Sequence, residues 1–392
     1  MKSVRPPLQS KLSKGSIQIS EDWLSMAGCV GTVDEVSMPE KEGEAYVEGA
    51  IKLCNLMKCP REIMCLKFGI RDNTLAVGLC DGSIKIIDPL SCELLYNLSN
   101  DETKCERLPV TAIQFLPAHD GQSVENQHIL MATYASGCVR FWNYRSSVCS
   151  TVLREPDPRQ IFASALNPEG TKFITAGSDD KIYIYDIATR KHLRTCEPSD
   201  SRNIMNGHRF RVYALQYHPD RPREFISGGW DDTIMFWDDR KKHAVRKVIG
   251  AGPHICGNDA LDIDPVHNHI LTGSWRKDKS LQIWDYDSGE KIKDVPYDTL
   301  HTSQRHGYGD IKFKGNLLYC AKWLGKSYIM CGGSEENMAR IIDRGTLNTV
   351  GQLVDLDQGV VCMDSNLSVS GSPRVCVGAG SYIYNLQLVK TL

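Results

Sequence analysis

GHRFRVYALQYHPDRPREFISGGWDDTIMFWD, residues Gly207–Asp238, decides the fold. Val212, Ala214, Leu215 and Tyr217 make a short apolar run, and His218-Pro219-Asp220 breaks it. A second run follows at Phe225 and Ile226, then the tight turn Asp231-Asp232, then a third run at Ile234 and Phe236. Short runs at two-residue period, separated by Pro, Gly and Asp turns, predict an antiparallel meander rather than helices.

The same pattern recurs along the chain. DGSIKIID (Asp81–Asp88) aligns with DDTIMFWD, with Ile87 in the Trp position. A second repeat carries VTAIQF, HILMATY and CVRFWN, with Ser136 where Asp231 stands and Trp142-Asn143 closing it. A third carries KFITAGSDDKIYIYD, with Asp179 in the turn and Tyr185-Asp186 at the end. The fifth closes on Trp284-Asp285. The sixth has Glu336 in the turn and Ile342 in the Trp position. Closing positions Asp88, Asn143, Asp186, Asp238, Asp285 and Asp343 recur at spacings from 43 to 58 residues. So irregular a period means repeats of one size joined by unequal loops, where recognition surfaces concentrate.

Gly207-His208 at the start and Trp237-Asp238 at the end resemble the GH…WD signature of the WD40 repeat. The resemblance extends over about 46–388, with the fullest motifs in repeats three to five. It implies an all-β, seven-bladed propeller, each blade a four-stranded sheet. The blades fall at about 59–98, 108–153, 158–197, 207–250, 253–297 and 317–354, with a seventh at 358–388. The seventh stretch has room for three strands, and a lone strand pattern lies at 45–57. That strand is expected to complete the last blade, because an open ring would leave two unpaired edges. Residues 1–44, rich in Pro, Ser, Lys and Glu, read as a mostly disordered tail.

Composition narrows the function. A formal net charge of −2 supplies no global field to draw in nucleic acid. No apolar run approaches a membrane span, and the N-terminal residues lack a signal-peptide core. Fifteen cysteines scattered singly read as small buried hydrophobes in a reducing compartment. That makes the cytoplasm the expected location, with the nucleus open.

In the family that the fourth repeat resembles, a His, a Ser or Thr, the turn Asp and the Trp form a buried hydrogen-bond chain. The matching residues are His208, Ser227, Asp231 and Trp237. Aligning ALDIDP on ALQYHP gives His254, Thr272, Asp278 and Trp284 in repeat five. Each set holds a Ser or Thr, a His and an Asp. Recurrence at one register argues for structure, since a nucleophile would occur once, in a cleft. No catalytic residue is therefore assigned. The pair His267 and His269 lacks a third metal ligand. No phosphate-cradling glycine loop opens a helix, so neither metal nor cofactor is expected. The basic run Arg240, Lys241, Lys242, His243, Arg246 and Lys247 reads as protection of an outer strand. A localisation signal or acidic-partner site is the other reading.

The resemblance implies interaction and assembly work: a non-catalytic scaffold or adaptor binding peptides or domains of other proteins. The alternative is a reader of an acidic, phosphorylated or otherwise modified peptide, in a chromatin setting for example. On the face that the family's second-to-third-strand turns share, Arg209, Phe210, Arg211, Trp230, Trp275, Arg276 and Lys277 are expected to converge. Trp and Arg dominate binding hot spots. Tryptophans packed onto their own loops as blade caps would use the same residues structurally.

Overall fold

The computed structural model describes residues 45–69, 74–117, 128–201, 203–247, 252–297, 315–367 and 373–389. The tail 1–44 and nearly all of the polar segments at 118–128 and 298–316 lie outside the described residues. Two N-terminal strands come first, β1 (Tyr46–Gly49) and β2 (Ile51–Lys58). Blade one is β3 (Ile63–Phe68), β4 (Leu75–Leu79), β5 (Ile84–Ile87) and β6 (Leu94–Leu98). Blade two is β7 (Val110–Phe115), β8 (Ile129–Tyr134), β9 (Cys138–Asn143) and β10 (Val148–Arg154). Blade three is β11 (Ile161–Leu166), β12 (Lys172–Gly177), β13 (Ile182–Asp186) and β14 (His192–Cys196). Blade four is β15 (Val212–Tyr217), β16 (Glu224–Gly229), β17 (Ile234–Asp238) and the two-residue β18 (Arg246–Lys247). Blade five is β19 (Leu261–Asp264), β20 (His269–Gly273), β21 (Leu281–Asp285) and β22 (Lys291–Asp294). Blade six is β23 (Leu317–Leu324), β24 (Tyr328–Ser334), β25 (Ala339–Asp343) and β26 (Thr349–Val354). Blade seven is β27 (Val360–Leu367), β28 (Pro373–Ala379) and β29 (Tyr382–Leu388), with β2 added outside β29.

The N-terminal strand therefore closes the ring, as the pairing argument requires. Ile51 lies opposite Leu388 and Lys58 opposite Tyr382, with a bulge between Leu53 and Asn55. The closing strand is shorter than the 45–57 pattern suggests. Gly49, at φ 81°, turns the chain, so that β1 pairs with β26 as a fifth strand of blade six. The N-terminal segment thus ties blade six to blade seven as well as closing the ring.

Innermost strands read as near-continuous apolar runs because both of their faces are covered. VYALQY in β15 is buried at five of six positions. Outer strands alternate, as VCSTVLR in β10 does, because one face meets solvent. Blades pack through these faces; Ile226, Ile234 and Phe236 of blade four lie against Ile263, Ile270 and Tyr286 of blade five. The innermost strands stand side by side around a central channel, β27 beside β3. A six-residue helix, α1 (Asp101–Glu106), interrupts the link between blades one and two. Asn100 and Thr103 form its capping box, and Glu102 and Glu106 clamp the fully buried Arg140 at 2.6 and 3.1 Å. The cysteines of the described residues are free thiols, most of them buried.

Candidate functional site

In blade four the four matching residues meet. The Trp237 indole N–H donates to Ser227 Oγ at 2.7 Å, and Ser227 Oγ lies 2.6 Å from His208 Nε2. His208 Nδ1 lies 2.8 Å from Asp231 Oδ2. An indole can only donate, and an ionised carboxylate can only accept. The consistent assignment puts the proton on His208 Nδ1, bonded to Asp231, with the Ser227 hydroxyl donating to Nε2. Asp231 also accepts from Thr233 Oγ1 at 2.7 Å and from the Arg209 N–H at 3.3 Å. Burial opposes its ionisation, but His208 and these donors hold the carboxyl below its ordinary value. His208 and Ser227 are wholly inaccessible to solvent. The arrangement has the composition of a hydrolytic triad without an opening to a substrate; it locks two turns of the blade together.

Blade five requires a correction. Trp284 donates to Thr272 Oγ1 at 3.0 Å, but His254 and Asp278 do not join them. Asp278 is exposed on the turn. The physical reason is a register error. The Trp275 N–H donates to the His254 carbonyl just as the Trp230 N–H donates to the Arg211 carbonyl. His254 is thus the counterpart of Arg211, not of His208. The chain between it and β19 contains an additional turn, Gly257–Ala260. Arg276, not Asp278, then follows the aligned Trp, so blade five has no anion where Asp231 stands.

Blade three holds a network that the motif search missed. Asp179 and Thr175 occupy the places of Asp231 and Ser227, but the group between them is the Arg159 guanidinium. It bonds Asp179 Oδ1 at 2.6 Å, Thr175 Oγ1 at 3.1 Å and the Lys181 carbonyl at 2.6 Å. Glu155, whose side chain is fully buried, pairs with the same guanidinium and accepts from Tyr185 OH at 3.3 Å. The signal was present as Glu155 and Arg159 four residues apart, just before an innermost strand.

Of the seven face residues, Arg211, Trp230, Trp275 and Arg276 are linked through His254 and Asp232, on a braced aromatic floor. Phe162 stacks on Tyr213 at 4.8 Å between ring centroids, Tyr213 on Trp230 at 5.5 Å and Trp230 on His254 at 5.9 Å. Trp275 follows at 6.5 Å from His254. Trp230 Nε1 donates to Cys256 Sγ, and Trp275 Nε1 donates to Tyr319 OH at 3.1 Å. The run crosses blades three to six. Both tryptophans are half-buried within it rather than free in solvent.

Above the floor the cations are mostly engaged. Arg276 pairs with Asp232 at 2.8 Å and Lys277 with Glu335 at 2.9 Å. His254 Nδ1 lies 2.7 Å from the same Asp232. Arg209 donates to the carbonyls of Ser199, Ser201 and Ile204. The Arg211 guanidinium lies 5.2 Å from the Trp230 ring. Phe210, by contrast, is 61% exposed, and Ile204 and Met205 of the preceding loop are 53% and 39% exposed.

Two other sequence features find structural employment. In the basic run only Arg246 and Lys247 form strand. Arg240 pairs with Asp238, whose carboxyl is pulled down to about 2 chiefly by that bond, and Lys242 pairs with Glu197. Arg246 covers the Phe236 ring at 3.7 Å. His267 bonds Asp264 at 2.7 Å, and His269 Nδ1 lies 2.9 Å from the Arg344 guanidinium. Among the described residues no cluster of three or more His, Cys, Asp or Glu could hold a metal ion. No helix among them is long and apolar enough to cross a membrane.

Seven antiparallel sheets, a buried His–Ser–Asp–Trp chain and an aromatic face define a β-propeller. The family model described as WD domain, G-beta repeat matches residues 199–238. Cilia- and flagella-associated protein 52 of Chlamydomonas reinhardtii is 21% identical over 301 residues, 74% of this chain and 43% of the relative. The guanine nucleotide-binding protein subunit beta of Nicotiana tabacum is 27% identical over 220 residues, 54% of this chain and 52% of the relative. The APC/C activator protein CDC20 of Saccharomyces cerevisiae is 23% identical over 209 residues, 53% of this chain and 31% of the relative. The matches thus span about half of each of these relatives' length or less. The fold is a seven-bladed β-propeller, and its fourth blade matches the WD40 repeat.

Proposed function

We propose that this propeller is a non-catalytic adaptor that docks partner proteins on the face of blades four and five. The observation that carries the reading is Phe210, a 61% exposed aromatic one residue before Arg211, whose carbonyl accepts the N–H of the half-buried Trp230. Trp230 is held from both sides by Tyr213 and His254. A rigid aromatic floor loses little entropy on binding, and aromatic anchors ringed by polar groups form hot spots. Ile204 and Met205 extend the apolar area, and Arg211 and Arg276 border it.

The occupant this surface favours is an apolar or aromatic segment of a partner, in preference to an acidic or phosphorylated one. Arg276 and Lys277 already have carboxylate partners, and an incoming anion would have to displace them. A non-catalytic role agrees with the sealed His208–Ser227–Asp231 chain. Free thiols suit a reducing compartment, which supports the cytoplasm or nucleus as the setting of this work.

The test is quantitative affinity purification of the full chain with Phe210→Ala, and with Trp230→Ala plus Arg276→Ala. The reading expects specific partners to fall about ten-fold or more, as loss of a hot spot would give. Undiminished recovery, with folding verified by melting, would refute it.

A further inference from the structure

The innermost strands present a ring of equivalent positions to the central channel. Strand registers align Lys67, Gln114, Ala165, Gln216, Asp262, Lys322 and Asp364, one from each blade in order. They line a polar cavity of about 220 Å³, with Ser164, Asn258 and Asp259 among its other walls. That volume is several times the ~30 Å³ that one water occupies in the liquid. The ring sits four residues beyond Val212 along β15, roughly 13 Å from the strand end that adjoins Trp230. It is therefore separate from the docking face.

The ring divides into two unequal arcs. On one side Lys322 Nζ lies 2.9 Å from Asp259 and 3.3 Å from Asp364, and Lys67 Nζ lies 3.5 Å from Asp364. Two ammonium groups and two carboxylates compensate one another. The other arc, through blades two to five, holds only Asp262 as a charge. Its oxygens accept the Ile263 and Trp323 N–H groups at 2.9 Å each, and no cation lies within 4 Å among the described residues. Around it are acceptors to spare. Gln114 Nε2 donates to the Ser164 carbonyl, which leaves its Oε1 open. The Gln216 carboxamide has no partner among the described residues. Ser164, 2% exposed, lines the cavity, and its hydroxyl has no partner among the described residues.

We propose that this arc is a binding site for a small organic cation with N–H donors, a guanidinium or primary ammonium. The cation sits against the Asp262 carboxylate, with the Gln216 and Gln114 carbonyls accepting its remaining N–H groups. Charge-assisted hydrogen bonds supply the attraction, and the channel wall supplies the low dielectric. Burial pushes the Asp262 carboxyl up to about 6, against the opposing influence of Lys322 and Lys67. Cation binding requires the ionised form, so affinity falls as the pH drops below that value. Asp259 and Asp364, the other acids facing the cavity, are committed to the lysines.

The test uses methylguanidinium chloride at constant ionic strength, read by titration calorimetry and thermal shift on the full chain. Saturable binding is expected, weaker by about ten-fold or more in Asp262→Asn, as expected on losing a hydrogen bond to a charged group. Gln216→Leu, which leaves the carboxylate in place, should also weaken it, and provides the test if Asp262→Asn does not fold. Tetramethylammonium, which has no N–H, should not compete. An arginine-containing tripeptide binding more tightly than methylguanidinium would identify the source as a partner's side chain; equal affinity would identify a free metabolite-sized cation. Absence of saturable binding, full binding in Asp262→Asn, or equal competition by tetramethylammonium or potassium would overturn the proposal. Phe210→Ala should leave this binding unchanged, which keeps the result independent of the docking surface.

Discussion

The Arg159 guanidinium in blade three holds the same two partner positions that the His208 imidazole holds in blade four. Arg159 bridges Thr175 and Asp179; His208 bridges Ser227 and Asp231. A cation of fixed charge replaces a ring that can stay neutral, so blade three needs a second carboxylate. Glu155 is that carboxylate, and its burial beside Arg159 follows from the exchange. Arg159→Ala should therefore cost about 3–5 kcal/mol, the range for breaking a buried pair and stranding its partner. Glu155→Gln in the same chain should recover part of the loss. Urea unfolding of the three proteins measures both effects.

Asp231→Ala removes the acceptor of the His208 ring N–H and the Thr233 hydroxyl inside blade four. The expected loss is ~1–3 kcal/mol in chemical denaturation. Ser136→Ala, at the equivalent turn of blade two, should cost far less, since the Ser136 hydroxyl has no partner among the described residues. Equal effects would mean that the blade-four chain does not stabilise the turn.

Ring closure rests on β2. Deleting residues 1–58 strips β29 of its partner strand and should lower the melting temperature sharply. Deleting 1–44 leaves β1 and β2 in place and should change it little. Similar melting curves for the two truncations would contradict closure by Ile51–Lys58.

Asp262 makes stability fall as pH rises. Its folded-state value of about 6 lies above the ~3.9 of an unfolded aspartate, so the native state binds the proton more tightly. The native state is favoured at low pH, and that advantage is lost between about pH 4 and pH 6. Discounted for the polar lining of the cavity, the loss from this residue is ~1–2 kcal/mol. Asp262→Asn should flatten that part of the stability profile relative to wild type, as denaturant midpoints across the range would show.

The fold was legible because each innermost strand announces itself as an apolar run between Pro, Gly and Asp turns. Ring closure was legible from the missing strand of blade seven. The His208, Ser227, Asp231 and Trp237 chain was legible because its spacing survives intact. Blade five misled at His254, where alignment through ALDIDP could not register the turn at Gly257–Ala260. Arg159 was hidden because hydrogen-bond partners can be kept while the residue type and its position along the strand entry both change. The state of the face cations was also hidden. Asp232 and Glu335 neutralise Arg276 and Lys277 across blades, and no linear pattern shows such pairs. The channel ring was invisible for the same reason: its members are roughly one blade apart in sequence and meet only when the ring closes.

The docking face is tested most directly by placing a photocrosslinking benzoylphenylalanine at position 210 and, separately, at position 148. Val148 is exposed at the start of β10, beside the turn between the third and fourth strands of blade two, at the opposite end of the disc. With the full chain in cell extract, the account predicts a light-dependent adduct to a partner protein from position 210 and none from 148. Adducts from position 148 with none from 210 would contradict it.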